Sequence, residues 1–292
     1  MIKVQNLDKS FDKPVLKDIS FNIDDNSIVG LVGINGAGKS TLLRLLTGVL
    51  KQDNGSITYD GKEVYDNPSV KSNIFFLPDD PFYDRGTTIK SILDIYKVFY
   101  TVDESVYFSL INRFKLPTDK KLFNFSKGMR RQVFIALALA IKPEYLFLDE
   151  AFDGLDPLAR LTVKREMIKI QEESKMTIII SSHSLRELED ICDSYLMIDN
   201  RTISSYGEIN KFVEKYHKYQ IAFKEIPSRE MFKDIDFISY EQDQRIIFVV
   251  TRLNYEDLAS KMAPFNPLII DEKNIDFEEQ FIIEVESRGY LE

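Results

Sequence analysis

The 292-residue chain contains one cysteine, Cys192, and two histidines. A single thiol cannot close an internal disulfide, and so few soft ligands argue against a structural zinc site. That usage fits a reducing compartment. Positive charge is also scarce, with 38 Lys and Arg against 47 Asp and Glu and a net charge of −9. No general nucleic-acid-binding surface, and no nucleic-acid partner, is expected from that balance. The first residues, Met1 to Asp8, lack the apolar core of a signal peptide. The longest apolar run, Val133 to Ile141, is too short to span a bilayer. A membrane role is therefore expected only through a partner. What remains is the profile of a folded protein, 44% hydrophobic and 29% charged. Its length allows one large domain and a smaller one.

The stretch that organises the chain is Gly33-Ile34-Asn35-Gly36-Ala37-Gly38-Lys39-Ser40. It follows the apolar run Ile28 to Val32 and leads into the helical pattern Ser40 to Leu46. Strand, glycine-rich loop and helix are the parts a phosphate-binding loop requires. Glycines let successive N–H groups turn inward toward phosphate oxygens, and the positive helix end adds to that field. Lys39 is expected to reach the β and γ phosphates, and the Ser40 hydroxyl to hold Mg²⁺. A chance match to this spacing in a chain this long is roughly a one-in-a-hundred event. The flanking strand and helix leave chance less room still. The chain is expected to bind a nucleoside triphosphate.

Short strands are predicted up to about residue 32, with Val15 to Ile23 ahead of an Asp24-Asp25-Asn26 turn. Ser56 to Val64 reads as a hairpin turning at Asp60-Gly61. Ile74 to Leu77 is a buried strand ended by Pro78-Asp79-Asp80-Pro81, and helical spacing follows from Thr88 to about Lys115. A helix from about Ser126 to Ile141 is apolar nearly all round beyond Gln132, as buried helices are. Tyr145 to Leu148 and Thr177 to Ile180 are core strands of parallel type, with a helix from Pro157 to about Glu173 between them. The fold class is therefore α/β, a phosphate-loop NTPase core with an antiparallel β subdomain. The character changes near residue 215. Strands Gln220 to Phe223, Ile246 to Thr251 and Leu268 to Ile270, with helices Tyr255 to Met262 and Asp276 to Glu286, form a small C-terminal α+β appendage carrying no evident chemistry.

Tyr145-Leu146-Phe147-Leu148-Asp149-Glu150 is an apolar strand ending in two carboxylates. In phosphate-loop NTPases the aspartate at such a strand end holds the Mg²⁺ shell, and its neighbour can orient or deprotonate the attacking water. Ser126 and Gly128 open the long apolar helix, where Ser126 is either an ordinary N-cap or part of a second anion site. Asp156 and Pro157 fit the N-cap and first helical position. His183 closes a core strand at the ligand-binding edge of the sheet and is either structural or catalytic. Ser184 to Glu187 has the form of a capping box.

In this order the motifs resemble the ATP-binding cassette of ABC transporters over about residues 1 to 215. They run from Gly33 to Thr41, then Ser126-x-Gly128, Leu146 to Glu150, Gly154-Leu155-Asp156 and Ser182-His183. The resemblance implies an ATP-binding domain over 1–215, with a helical subdomain at about 82–141, and an accessory domain over 216–292. It implies ATP and Mg²⁺ as ligands, with Gly33, Ile34, Asn35, Gly36, Ala37, Gly38, Lys39, Ser40, Thr41 and Asp156 binding the nucleotide. Phe11 aligns with the aromatic that stacks on adenine, or is a buried strand residue. Glu150 matches the catalytic carboxylate, His183 the γ-phosphate switch and Asp149 the magnesium aspartate. Ser126 and Gly128 would cap the ATP of a second cassette in a head-to-tail homo- or heterodimer.

Two departures add charge. The family's signature Leu-Ser-Gly-Gly-Gln reads Phe125-Ser126-Lys127-Gly128-Met129, and its loop glutamine falls at Asp79, or less well Asp80. Asp79 could still offer hard oxygens to magnesium. The Phe11 ring also lacks a hydroxyl. The Ser-Lys-Gly-Met variant and short appendage are similar to Gram-positive exporter ATPases for antimicrobial, bacteriocin or phenol-soluble modulin peptides. The expected protein is a cytoplasmic ATPase, peripheral on the inner face of the cell membrane and bound to separately encoded permease subunits. Its rivals are a hydrolysis-poor regulatory cassette and a non-transport ATPase of the same family.

Overall fold

The computed structural model describes residues 1–182, 185–213 and 215–286. The chain divides into two compact units, the first ending at Gly207 and the second beginning at Glu208, some residues before the change in composition.

The first unit begins with alternation that is in places interrupted. β1 (Ile2–Ser10) buries Ile2, Val4 and Leu7, and β2 (Pro14–Ile23) buries Leu16, Ile19, Phe21 and Ile23. Between the buried positions the side chains face water, as a half-covered antiparallel sheet requires. Next come β3 (Ile28–Val32), α1 (Lys39–Leu46), β4 (Asn54–Tyr59) and the short β5 (Lys62–Glu63). The β4–β5 turn puts Asp60 and Gly61 at φ 49° and 79°. Two successive positive φ values define the tight hairpin turn that Asp-Gly favours. β1, β2, β4 and β5 form an antiparallel sheet in the order β2-β1-β4-β5.

The chain continues through α2 (Pro68–Lys71), β6 (Ile74–Leu77), α3 (Ile89–Tyr96), α4 (Glu104–Arg113), α5 (Lys127–Ile141), β7 (Tyr145–Leu148), α6 (Pro157–Ser174), β8 (Thr177–Ser181), α7 (Leu185–Glu189), β9 (Ser194–Asp199) and β10 (Thr202–Glu208). The helical spacing expected from Thr88 to about Lys115 is carried by two helices. Thr88 opens α3 through a capping box with Ser91. Asp103, with extended backbone, opens α4 by accepting from the Val106 N–H at 3.2 Å. Each cap fixes a new helix start, so the apolar spacing spans a break.

A six-stranded sheet runs β10-β9-β3-β8-β7-β6. Within it β3 pairs in parallel with β8 and β9, and β7 with β6 and β8. Every residue of β3, β7 and β8 is buried, as parallel strands covered on both faces must be. Parallel pairing brings the C-terminal ends of these five strands to one edge. Gly33, Pro78, Asp149 and Ser182 follow β3, β6, β7 and β8 there, and that edge is where open α/β sheets bind ligands. The four leucines of α1 pack into a core shared with β1, β2, β3 and β4. Helix α5 is buried continuously from Arg131 to Ala140.

The second unit contains α8 (Ile209–Val213), β11 (His217–Ala222), β12 (Ser239–Asp243), β13 (Ile246–Thr251), α9 (Tyr255–Met262), β14 (Ile269–Lys273) and α10 (Phe277–Glu286). Its antiparallel sheet has the order β12-β13-β11-β14. Tyr219, Ile221, Ile247 and Val249 pack with Phe232, Leu258 and Met262 in a core of its own.

Because each unit has its own core, a chain ending at Gly207 is expected to unfold in one cooperative transition by far-ultraviolet circular dichroism. In that chain Phe147→Ala should cost about 3–5 kcal/mol in denaturant unfolding, the usual result of emptying a buried aromatic site. A broad, non-cooperative melt would show that the first unit requires the second.

Candidate nucleotide-binding and catalytic site

The loop between β3 and α1 depends on Gly38, the α1 N-cap, which sits at φ 109°. An L side chain rarely adopts that conformation, and a Cβ there would lie 2.8 Å from Leu16 Cδ2. The antiparallel sheet therefore abuts the loop at Val15 and Leu16, a few residues after Phe11. Phe11 lies in the β1–β2 turn, 60% exposed, with Lys9 Nζ 5.5 Å from its ring centroid. It is not a buried strand residue, which removes one of its two sequence readings. Ile34, Asn35 and Gly36 are exposed, while Ala37, Ser40 and Thr41 are half-buried.

Lys39 is buried, and its Nζ donates to the carbonyls of Gly33 at 2.7 Å and Ile34 at 3.4 Å. Burial pulls its pKa below the ordinary lysine value, opposed by the negative charges of Glu150 and Asp149. A partly desolvated ammonium amid loop carbonyls is prepared to interact strongly with an incoming phosphate.

The Ser40 hydroxyl donates to Asp149 Oδ1 at 3.1 Å. The same oxygen accepts from the Ser181 hydroxyl at 2.7 Å, and Ser181 Oγ in turn accepts from the Glu150 N–H at 3.0 Å. Asp149 is 2% exposed, so its carboxylate needs such donors. Ser181 was not among the residues singled out from sequence. The only signal for it was a small hydroxyl at the end of a core strand. Glu150 stands at φ 52°, in the left-handed region. Non-glycine residues held there cluster at functional sites.

At the start of α5, Ser126 is the N-cap and accepts from the Met129 N–H at 3.1 Å. Gly128 is needed for close approach, since a Cβ there would lie 2.2 Å from the Gly154 carbonyl oxygen. Asp156 caps α6 by accepting from the N–H groups of Leu158 and Ala159 at 3.0 and 2.9 Å. Asp79 Oδ1 is engaged by Arg131 Nη2 at 2.6 Å and Lys127 Nζ at 3.2 Å. Arg131 is 2% exposed and also donates to the carbonyls of Pro78 and Asp149 at 3.0 and 3.3 Å. It is a second residue that sequence reasoning missed, hidden in a helix chosen for its apolar character. His183 and Ser184 lie outside the described residues; Glu187 accepts from Ser182 Oγ at 2.9 Å and pairs with Arg160 at 2.6 Å.

A phosphate loop, a following lysine and serine, and a buried strand-end carboxylate on a parallel sheet define a phosphate-loop NTPase. The ABC transporter family model matches residues 16–153. The ABC transporter ATP-binding protein YtrB of Bacillus subtilis is 32% identical over 292 residues, covering 97% of each chain. The lantibiotic transport ATP-binding protein SrtF of Streptococcus pyogenes is 37% identical, covering 66% of this chain and 84% of its own. The methionine import ATP-binding protein MetN of Clostridium tetani is 33% identical, covering 72% and 70%. A solved ATP-binding subunit of an ABC transporter superposes with a TM-score of 0.66 at 28% identity, covering 73% of this chain and 91% of its own. The chain belongs to the ATP-binding subunits of ABC transporters, which are ATPases coupled to transport. No helix among the described residues is long and apolar enough to cross a membrane.

Ser181→Ala removes a donor to Asp149 and the acceptor of the Glu150 N–H. Loss of such an outer hydrogen bond typically costs about 10–100-fold in metal affinity or activity. The expected result is a loss of that size in Mg²⁺-dependent ATP hydrolysis with metal-free nucleotide binding retained. Wild-type hydrolysis would show that Ser181 does not orient the carboxylates.

Proposed function

We propose that this chain hydrolyses ATP to drive export of an amphipathic or antimicrobial peptide through separately encoded permease subunits. The observation that carries the hydrolytic reading is the convergence of Ser40 on buried Asp149 beside Lys39, with Glu150 next in sequence. The hydroxyl and carboxylate are hard oxygen donors of the kind Mg²⁺ takes, so Ser40 and Asp149 would hold the ion. Bound there, Mg²⁺ would neutralise charge on the β and γ phosphates. The glycine-rich loop binds the phosphates through its N–H groups, and Lys39 adds a positive charge. Glu150 orients the attacking water and accepts its proton, and His183 is assigned the contact to the γ-phosphate. Phe11, exposed on its turn, is assigned the adenine ring.

The working form is a head-to-tail dimer, homo- or heteromeric. Each ATP lies between one phosphate loop and the Ser126–Gly128 helix start of the other cassette. A permease partner finds support in an apolar cavity of 470 Å³ lined by Pro81, Tyr83, Ile92, Tyr96 and Phe99. Phe82 and Phe99 are 85% and 74% exposed there, and exposed apolar patches of this kind mark interaction surfaces. With such a partner the chain would be peripheral on the inner face of the membrane. The likeness to a lantibiotic transport ATPase supports a peptide cargo, while the likeness to a methionine import ATPase makes direction the point to test.

Glu150→Gln should reduce hydrolysis by at least the roughly 10²-fold typical of a positioned acid–base group while ATP binding survives. Size-exclusion chromatography in Mg·ATP should then show a long-lived dimer. Hydrolysis at the wild-type rate would remove Glu150 from the mechanism. For the cargo, cells lacking this chain should retain amphipathic peptide supplied from within. Unchanged peptide efflux with a lost solute uptake would identify an importer.

A further inference from the structure

The two departures of the cassette motifs have opposite charge, and the fold brings them together. Lys127 stands where the family carries glycine and Asp79 where it carries glutamine. Lys127 Nζ lies 3.2 Å from Asp79 Oδ1 and 2.5 Å from Asp153 Oδ2. Asp79 Oδ1 also receives Arg131 Nη2 at 2.6 Å, and the Arg131 side chain is 1% exposed. We propose that Asp79 is a positioning residue which, through Lys127 and Arg131, latches the start of α5 to the loops following β6 and β7.

Three separate pieces of backbone meet at this latch. Arg131 donates to the carbonyls of Pro78 and Asp79 after β6, and to that of Asp149 after β7. Lys127 and Arg131 lie four residues apart, on one face of the first turns of α5. Lys127 reaches Asp153, and Gly128 rests on the neighbouring Gly154 carbonyl. The helix start assigned to a second cassette's ATP is therefore tied to the segment that carries Asp149 and Glu150. The Arg131 side chain is almost fully buried and needs a compensating carboxylate, since a buried charge without one is strongly destabilising. The oxygen that supplies it already accepts two cationic groups, which disfavours its recruitment to a metal shell. Each departure also has a partner of its own, Asp153 for Lys127 and Arg131 for Asp79. Their mutual contact at 3.2 Å joins these two ion pairs into one tether that glycine and glutamine cannot make.

The inference rests on ATP hydrolysis by this chain, so its test includes a readout independent of hydrolysis. Asp79→Asn keeps the shape and an acceptor for Arg131 but removes the charge, and Lys127→Met keeps the stem without the ammonium. In the full-length chain, each substitution should speed amide hydrogen exchange at Met129 to Gln132. Each should lower kcat by about three- to tenfold with KM for ATP and the half-saturating Mg²⁺ concentration unchanged, the size expected for coupled contact residues. The double variant should lose less than the product of the two single losses, because Lys127 and Asp79 share one contact. Asp79→Glu should restore part of the rate. Multiplicative losses in the double variant would overturn the latch. So would exchange at the helix start that stays at the wild-type rate. An Mg²⁺ requirement raised by Asp79→Asn but not by Lys127→Met would overturn it in favour of a metal ligand. A wild-type chain without ATPase activity would refute the catalytic reading, and exchange would still decide whether the tether exists.

Discussion

The structure depends on keeping one carboxylate, that of Asp149, hydrogen-bonded at the end of a buried strand. Taking such a group out of water costs several kcal/mol unless donors replace the lost hydration. Ser40 and Ser181 supply those donors from the helix after β3 and from the end of β8. Both can do so because β3, β8 and β7 are parallel neighbours, with Leu31 level with Ser181 and Leu148 level with Ile180. Move one strand out of that order and the carboxylate loses a partner.

The same parallel order explains why the remaining reactive groups lie where they do. The phosphate loop, Asp79, the Asp149–Glu150 pair and Ser182 all follow strands of one sheet, so chain segments far apart in sequence end at a common edge. Helix α5 reaches this edge from a different part of the chain. It is buried along almost its whole length, which fixes its direction, and its one buried guanidinium then holds the neighbouring loops. Apolar packing and a charged clamp thus act on the same helix. The first sets its axis and the second sets the position of its beginning.

What was legible in the sequence was local. The glycine spacing and its flanks identify the phosphate loop, since a strand, a turn at positive φ and a helix N-terminus are all encoded within a dozen or so residues. Apolar runs such as Tyr145–Leu148 announce buried strands for the same reason. Less was legible between Thr88 and Lys115, where helical spacing alone did not place the start of the second helix at Asp103. β12, Ser-Tyr-Glu-Gln-Asp, was missed because an exposed edge strand held by backbone pairing needs no apolar alternation. Arg131 escaped attention as a polar residue beside an apolar run.

The sequence by itself determined the family, the phosphate loop, and which strands and helices carry its motifs, because each of these is set by residues adjacent in the chain. Only the tertiary structure decided that Ser181 supports both carboxylates, and that Asp79 faces Lys127 and Arg131 across 48 and 52 residues. Spacing along a chain contains no statement of which strand lies beside which. Opposite charges at two distant positions become a single interaction only after sheet order and helix packing have brought them within reach.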